Sequence, residues 1–122
     1  MADTAIRGID VHTYLVKDPK RAIAFYRDVM ELKPTWSDDA MGAEFELGDG
    51  ATFGLWKMDD GSWSAGTGVM FAVSDARAAA DYYRARGAKV MPDLHDSEHC
   101  AMAFVEDTEG NHFILHQRKQ DD

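Results

Sequence analysis

One pattern occurs twice in this chain, and it limits the possible folds more than any other feature. The stretch "LVKDPKRAIAFYRDVMEL" begins at Leu15, and "AVSDARAAADYYRARGAKV" begins 57 residues later at Ala72. Asp18 and Asp75 occupy matching places, each after an apolar strand end and before a helical run. Aspartate accepts hydrogen bonds from the exposed N–H groups of a first helical turn, and Pro19 is suited to the first helical position. Ala22, Phe25, Tyr26, Val29 and Met30 then recur at spacings of three and four, one apolar face of a helix. In the second copy Ala79 matches Ala22, Tyr82 and Tyr83 match Phe25 and Tyr26, and Gly87 provides a left-handed stop.

After each helix the apolar pattern changes to that of strands. In the first copy these fall at about 35–40, 43–47 and 51–57, with "GDG" at 48–50 as a hairpin turn. In the second they fall at about 88–91, 100–106 and 112–117, with "DTEGN" as the turn. The expected fold is therefore α+β, built from two βαβββ modules at about 8–58 and 66–118. The polar stretch "DDGSWSAG" supplies the linker, 59–65. A module of roughly 55 residues buries too little surface to be stable alone, so the two should pack as one domain spanning 1–122.

Composition narrows the function. The chain has 122 residues, 45% hydrophobic and 29% charged, with a net charge of −9 that disfavours nucleic acid and anionic membrane as partners. No apolar run reaches the roughly 20 residues needed to cross a bilayer. "MADTAIRGID" lacks the pattern of a signal peptide, and a single cysteine, Cys100, suits a reducing cytoplasm. No glycine-rich dinucleotide loop is present, and no cofactor is expected.

The last strand, in "GNHFILHQ" (110–117), carries the first sign of a site. Alternation puts His112, Ile114 and His116 on one face and Phe113 and Leu115 on the other. An imidazole on such a wall can anchor a polar ligand or act as an acid or base near neutral pH.

"LVKDPKRAIAFYRDVMEL" resembles the first-module signature of the vicinal oxygen chelate superfamily, and "FVEDTEGNHFILHQ" resembles its last hairpin. That superfamily includes glyoxalase I, bleomycin-resistance proteins and extradiol dioxygenases. The resemblance implies a cupped eight-stranded mixed sheet with helices outside and a ligand cavity within. It also implies a homodimer, sometimes with modules exchanged between chains. The enzymes of the superfamily hold a divalent metal with His, Gln or Glu at four strand positions. Those positions fall here on Val11, Gly54, Gly68 and Ile114, none of which offers a side-chain donor. His12 adjoins Val11, but a regular strand turns it to the opposite face, toward the helices. No metal is therefore expected.

Other residues compete for a role. Trp56 shares a strand face with Gly54 and should enter the cup opposite His116, each six residues beyond a turn glycine, Gly50 and Gly110. Trp36 and Trp63 lie near strand and linker edges, where they can wall the cavity or pack at an interface. Glycines at 54 and 68 should leave room for a ligand. Cys100 opens a strand beside that of His116, where a thiol can touch a ligand or serve as a small buried residue. The loop "PDLHDSEHC" is dense in Asp and His, matches no tight metal motif, and is expected to be a solvated segment.

The expected function is a small-molecule binder of the bleomycin-resistance kind, without the usual metal. Trp56, His116, His112, Cys100, Gly54, Gly68 and Ile114 would contact a partly aromatic ligand. The alternative is a lyase, isomerase or dioxygenase with an altered metal site, or a metal-free catalyst using His116.

Overall fold

Asp18 and Asp75 cap the two helices in the computed structural model, which describes residues 4–119. The Asp18 carboxylate accepts from the Arg21 N–H at 3.1 Å, and that of Asp75 from the Ala78 N–H at 3.0 Å. Pro19 opens α1 (Pro19–Ala24), while α2 spans Ala76–Ala85 and is followed by Gly87 at φ +106°. Replacing Asp75 with Ala should cost ~1 kcal/mol in urea unfolding, because the Ala78 N–H loses its cap.

After α1 the coil widens into a π-helical turn, Phe25–Val29, and both Phe25 and Tyr26 are buried there. Glu31 follows in the left-handed region at φ 63°. That conformation is unfavourable for a residue with a Cβ. Tyr82 of α2 and Arg86 at its C-terminal cap hold it: the Tyr82 hydroxyl donates to the Glu31 carboxylate at 2.7 Å, and Arg86 pairs with it at 3.3 Å.

The first sheet consists of β1 (His12–Leu15), β2 (Pro34–Asp38), β3 (Gly42–Glu46) and β4 (Thr52–Trp56), in the order β1-β4-β3-β2. The second consists of β5 (Val69–Ala72), β6 (Lys89–Val90), β7 (His95–Asp96), β8 (Cys100–Glu106) and β9 (His112–Arg118). Its order is β5-β9-β8-β6, with β7 also paired to β8. In each sheet the first strand runs parallel to the last and the remaining pairs are antiparallel.

This is the expected α+β architecture, with two differences. The "PDLHDSEHC" segment carries β7, which ladders onto Ala101 and Met102. The strands also form two open sheets of four and five rather than one of eight. The free edges β1 and β5 are bridged by a side chain instead of a backbone ladder. The Tyr14 hydroxyl donates to the His112 carbonyl at 2.6 Å and accepts from the Val69 N–H at 3.1 Å. Gly66 makes this possible, since a Cβ there would lie 2.5 Å from the Tyr14 ring.

Both sheets contribute to one core. The Tyr26 ring lies 5.1 Å from Phe53 and 5.7 Å from Phe113, and Phe53 meets Phe71 at 5.2 Å. A buried polar latch adds to this apolar junction. In the turn between β8 and β9, Asp107, Glu109 and Asn111 are all buried. Glu109 accepts from the Lys17 and Asp18 N–H groups, both at 2.8 Å, and from Arg21 Nε at 2.7 Å. Asp107 accepts from the Tyr26 hydroxyl at 2.7 Å, and Asn111 donates to the Leu15 carbonyl at 2.9 Å. The last hairpin of the second module is thereby fastened to the first helix of the first.

Among the described residues, no helix is long and apolar enough to cross a membrane. Residues 1–3 and 120–122, which the single-domain reading includes, lie outside the described residues.

Candidate functional site

Strand register sorts the expected site residues by face. In the second sheet Phe113 and Leu115 are buried, and His112, Ile114 and His116 take the opposite face. Two rows cross that outward face: Met70, Ile114 and Phe104, then Ala72, His116 and Met102. Met70 is 52% exposed, and Met102, Phe104 and Ile114 are partly exposed. Cys100 stands opposite Arg118, so His116 is its diagonal neighbour rather than its direct partner. The Cys100 thiol is free and partly buried.

The first sheet repeats this layout. Thr13, Gly54 and Glu44 form one outward row, and Leu15, Trp56 and Gly42 the next. Trp56 thus holds the place in its sheet that His116 holds in the other, and both avoid the core face. Trp36 is 43% exposed on β2. Trp63 fastens the linker to the first module: its indole N–H donates to the Leu15 carbonyl at 3.1 Å, and Lys17 Nζ sits 4.2 Å above its ring.

The two glycines differ in the space they leave. A Cβ on Gly54 would come within 3.0 Å of Thr13 Oγ1 and 3.2 Å of Val11 Cγ2, so the room expected there is already filled. At Gly68 (φ +98°) a Cβ would meet nothing within 4 Å. The donor chemistry does not fit the superfamily's metal: Val11, Gly54, Gly68 and Ile114 present no N, O or S side-chain atom. Among the described residues, no three His, Cys, Asp or Glu side chains are grouped so as to hold an ion. His112 has one carboxylate near it, Glu106 Oε1 at 3.8 Å.

A crevice of about 540 Å³ opens between the modules, and Met70 and Ala72 of the outward rows border it. Met30, Leu32, Phe53, Phe71, Tyr83 and Leu115 supply its apolar walls. His12 also lines it, since register puts His12 on the Phe53 face of β1, away from Val11 and Thr13. Of the residues assigned to a ligand from sequence, only Gly68 borders this crevice. Burial pushes the Tyr83 phenol above its usual range. Sequence spacing does not reveal such a crevice, because its walls come from separate modules and meet only through tertiary packing.

Comparison with known proteins agrees with the fold. No curated protein matches the chain. Among solved structures, it resembles TnmS3, an antibiotic binding protein from Streptomyces sp. CB03234, at 19% identity and TM-score 0.76, over 96% of this chain and 100% of that one. It also resembles a glyoxalase/bleomycin resistance protein/dioxygenase superfamily member from Sphaerobacter thermophilus, at 18% identity and TM-score 0.77, over 93% and 98%. A third is lactoylglutathione lyase from Agrobacterium tumefaciens, at 20% identity and TM-score 0.70, over 90% and 92%. At these identities the likeness concerns the fold. The family model, however, matches residues 8–115, nearly the whole chain, and the protein belongs to the Glyoxalase/Bleomycin resistance protein/Dioxygenase superfamily.

Proposed function

We propose that this protein binds a small, partly aromatic molecule on the outward faces of its two sheets, without a metal. The observation that carries this reading is the donor-free set Val11, Gly54, Gly68 and Ile114, next to outward rows rich in apolar side chains. Divalent ions need several N, O or S donors, which these positions lack. A sheet face bearing Met70, Ile114, Phe104 and Met102 instead suits an apolar or aromatic surface. Trp56 provides a stacking plane, and His116, among apolar neighbours, a hydrogen-bonding anchor. Ile114 and Gly68 form the floor, and His112 and Cys100 border it. The antibiotic-binding protein TnmS3 shares the fold, which supports a sequestering role.

A homodimer is part of the proposal. Each outward face is open on one side, and a second chain would close it over the ligand. The site as proposed needs neither cofactor nor nucleic acid, and the protein acts in the cytoplasm. The metal-free catalytic alternative would draw on His116, yet of the two histidines on β9 the one beside a carboxylate is His112.

A panel of aromatic antibiotics, titrated while tryptophan fluorescence is followed, tests the reading. Binding should quench the emission, and Trp56→Ala should remove most of the response. His116→Ala should weaken binding by ~1–3 kcal/mol, the cost of leaving a buried ligand acceptor unpaired. Quenching that survives both substitutions would contradict the assignment.

A further inference from the structure

The crevice between the modules shares Gly68, Met70 and Ala72 with the outward site, but the rest of its lining has chemistry of its own. We propose that it is a second binding site for aromatic molecules that carry hydroxyl or carbonyl groups and no negative charge. Its volume of about 540 Å³ suits a ligand of drug-like size. Phe53, Phe71, Leu115, Met30 and Leu32 make its walls apolar on several sides, as a pocket that removes a ligand from water requires.

Besides the Asp49 carboxylate, three side chains with polar ends line it: His12, Thr52 and Tyr83. None of the three makes a side-chain hydrogen bond among the described residues, although the adjacent Tyr82 hydroxyl is committed to Glu31. A few uncommitted polar groups on an apolar wall orient a ligand and select for its hydroxyl or carbonyl oxygens. The charge of the ligand follows from the surroundings. Asp49 stands at the border, and the chain carries −9 overall, so an anionic ligand is repelled. The walls are held in place as well. Met30 and Leu32 flank Glu31, a left-handed residue whose carboxylate is held by Tyr82 of α2 and by Arg86 at its end. Such π-helical turns and strained residues recur beside functional sites.

The test uses the full chain and the neutral fluorophore 2-acetyl-6-(dimethylamino)naphthalene, an aromatic ketone. Its emission should rise saturably on titration. In methyl spectra of the unsubstituted protein, the resonances of Leu32, Val69, Val73 and Leu115 should move while those of Ile114 and Met102 stay in place. Leu32→Trp or Val73→Phe should weaken the probe at least about tenfold, since filling the crevice removes the apolar contact that drives binding. Should one variant fail to fold, the other and the spectra of the unsubstituted protein decide. Absence of saturable binding would overturn the proposal. So would resonance changes centred on Ile114 and Met102, or undiminished affinity in a folded filled variant.

Discussion

Replacing Glu109 with Ala should destabilise the protein by ~3 kcal/mol in urea unfolding, an effect far beyond that of an ordinary turn position. Its side chain is fully buried and accepts from two backbone N–H groups and from Arg21. Removing it leaves the Lys17 and Asp18 N–H groups without partners at the start of α1, where no helical carbonyl can accept them. Arg21 is half exposed and can return to water, so most of the loss comes from the backbone groups. The effect should also depend on pH. Burial alone would raise the Glu109 pKa, but the bonds from Arg21, Asp18, Lys17 and Thr108 outweigh it and hold the carboxyl below its usual value. A depressed carboxylate stabilises the fold above its unfolded pKa of about 4.3, and this stabilisation is lost as pH falls through the lower folded value. The original protein and the Ala variant should therefore converge in stability as the solution is acidified. A constant gap from pH 7 to pH 3 would show that the carboxylate charge is not what holds the latch.

Phe53→Ala should cost ~4 kcal/mol, the upper range for truncating a buried aromatic. Phe53 is 1% exposed, and its ring meets Tyr14, Tyr26, Phe45 and Phe71, rings from both modules. Those neighbours are fixed by two sheets and a helix, so they can close only part of the void. Unfolding should stay a single cooperative transition, because the same ring contributes to the one core that joins the sheets. Two separate transitions would mean that the modules fold independently. Phe53 also lines the crevice, so this variant should change affinity for the neutral fluorophore along with stability.

Local signals account for what could be read from the sequence. Asp18 and Asp75 precede helical runs and cap them, and the alternation in "HFILHQ" separates Phe113 and Leu115 from the histidines. Four features have no such signal. The π-helical turn has the same apolar spacing as an α-helix, so Phe25–Val29 reads as ordinary helix. "DTEGN" reads as a solvated turn, whereas Glu109 is buried because the start of α1 lies over it. The room expected at Gly54 depended on neighbours, and Thr13 and Val11 fill it. The crevice depends on how two modules meet, which neither repeat encodes by itself. The outward placement of Trp56 and His116 follows from period-two alternation, and their role remains the proposal made above.

Metal independence is the central claim, and a paired binding measurement tests it most directly. Protein freed of metal by chelator, and protein then supplied with Zn, Ni, Fe or Mn, should bind an aromatic ligand from the panel with equal affinity. Elemental analysis of the untreated protein should find far less than one metal per chain. Near-stoichiometric metal, together with ligand binding that disappears in chelator and in His112→Ala or His116→Ala, would contradict the account and establish an altered metal centre in its place.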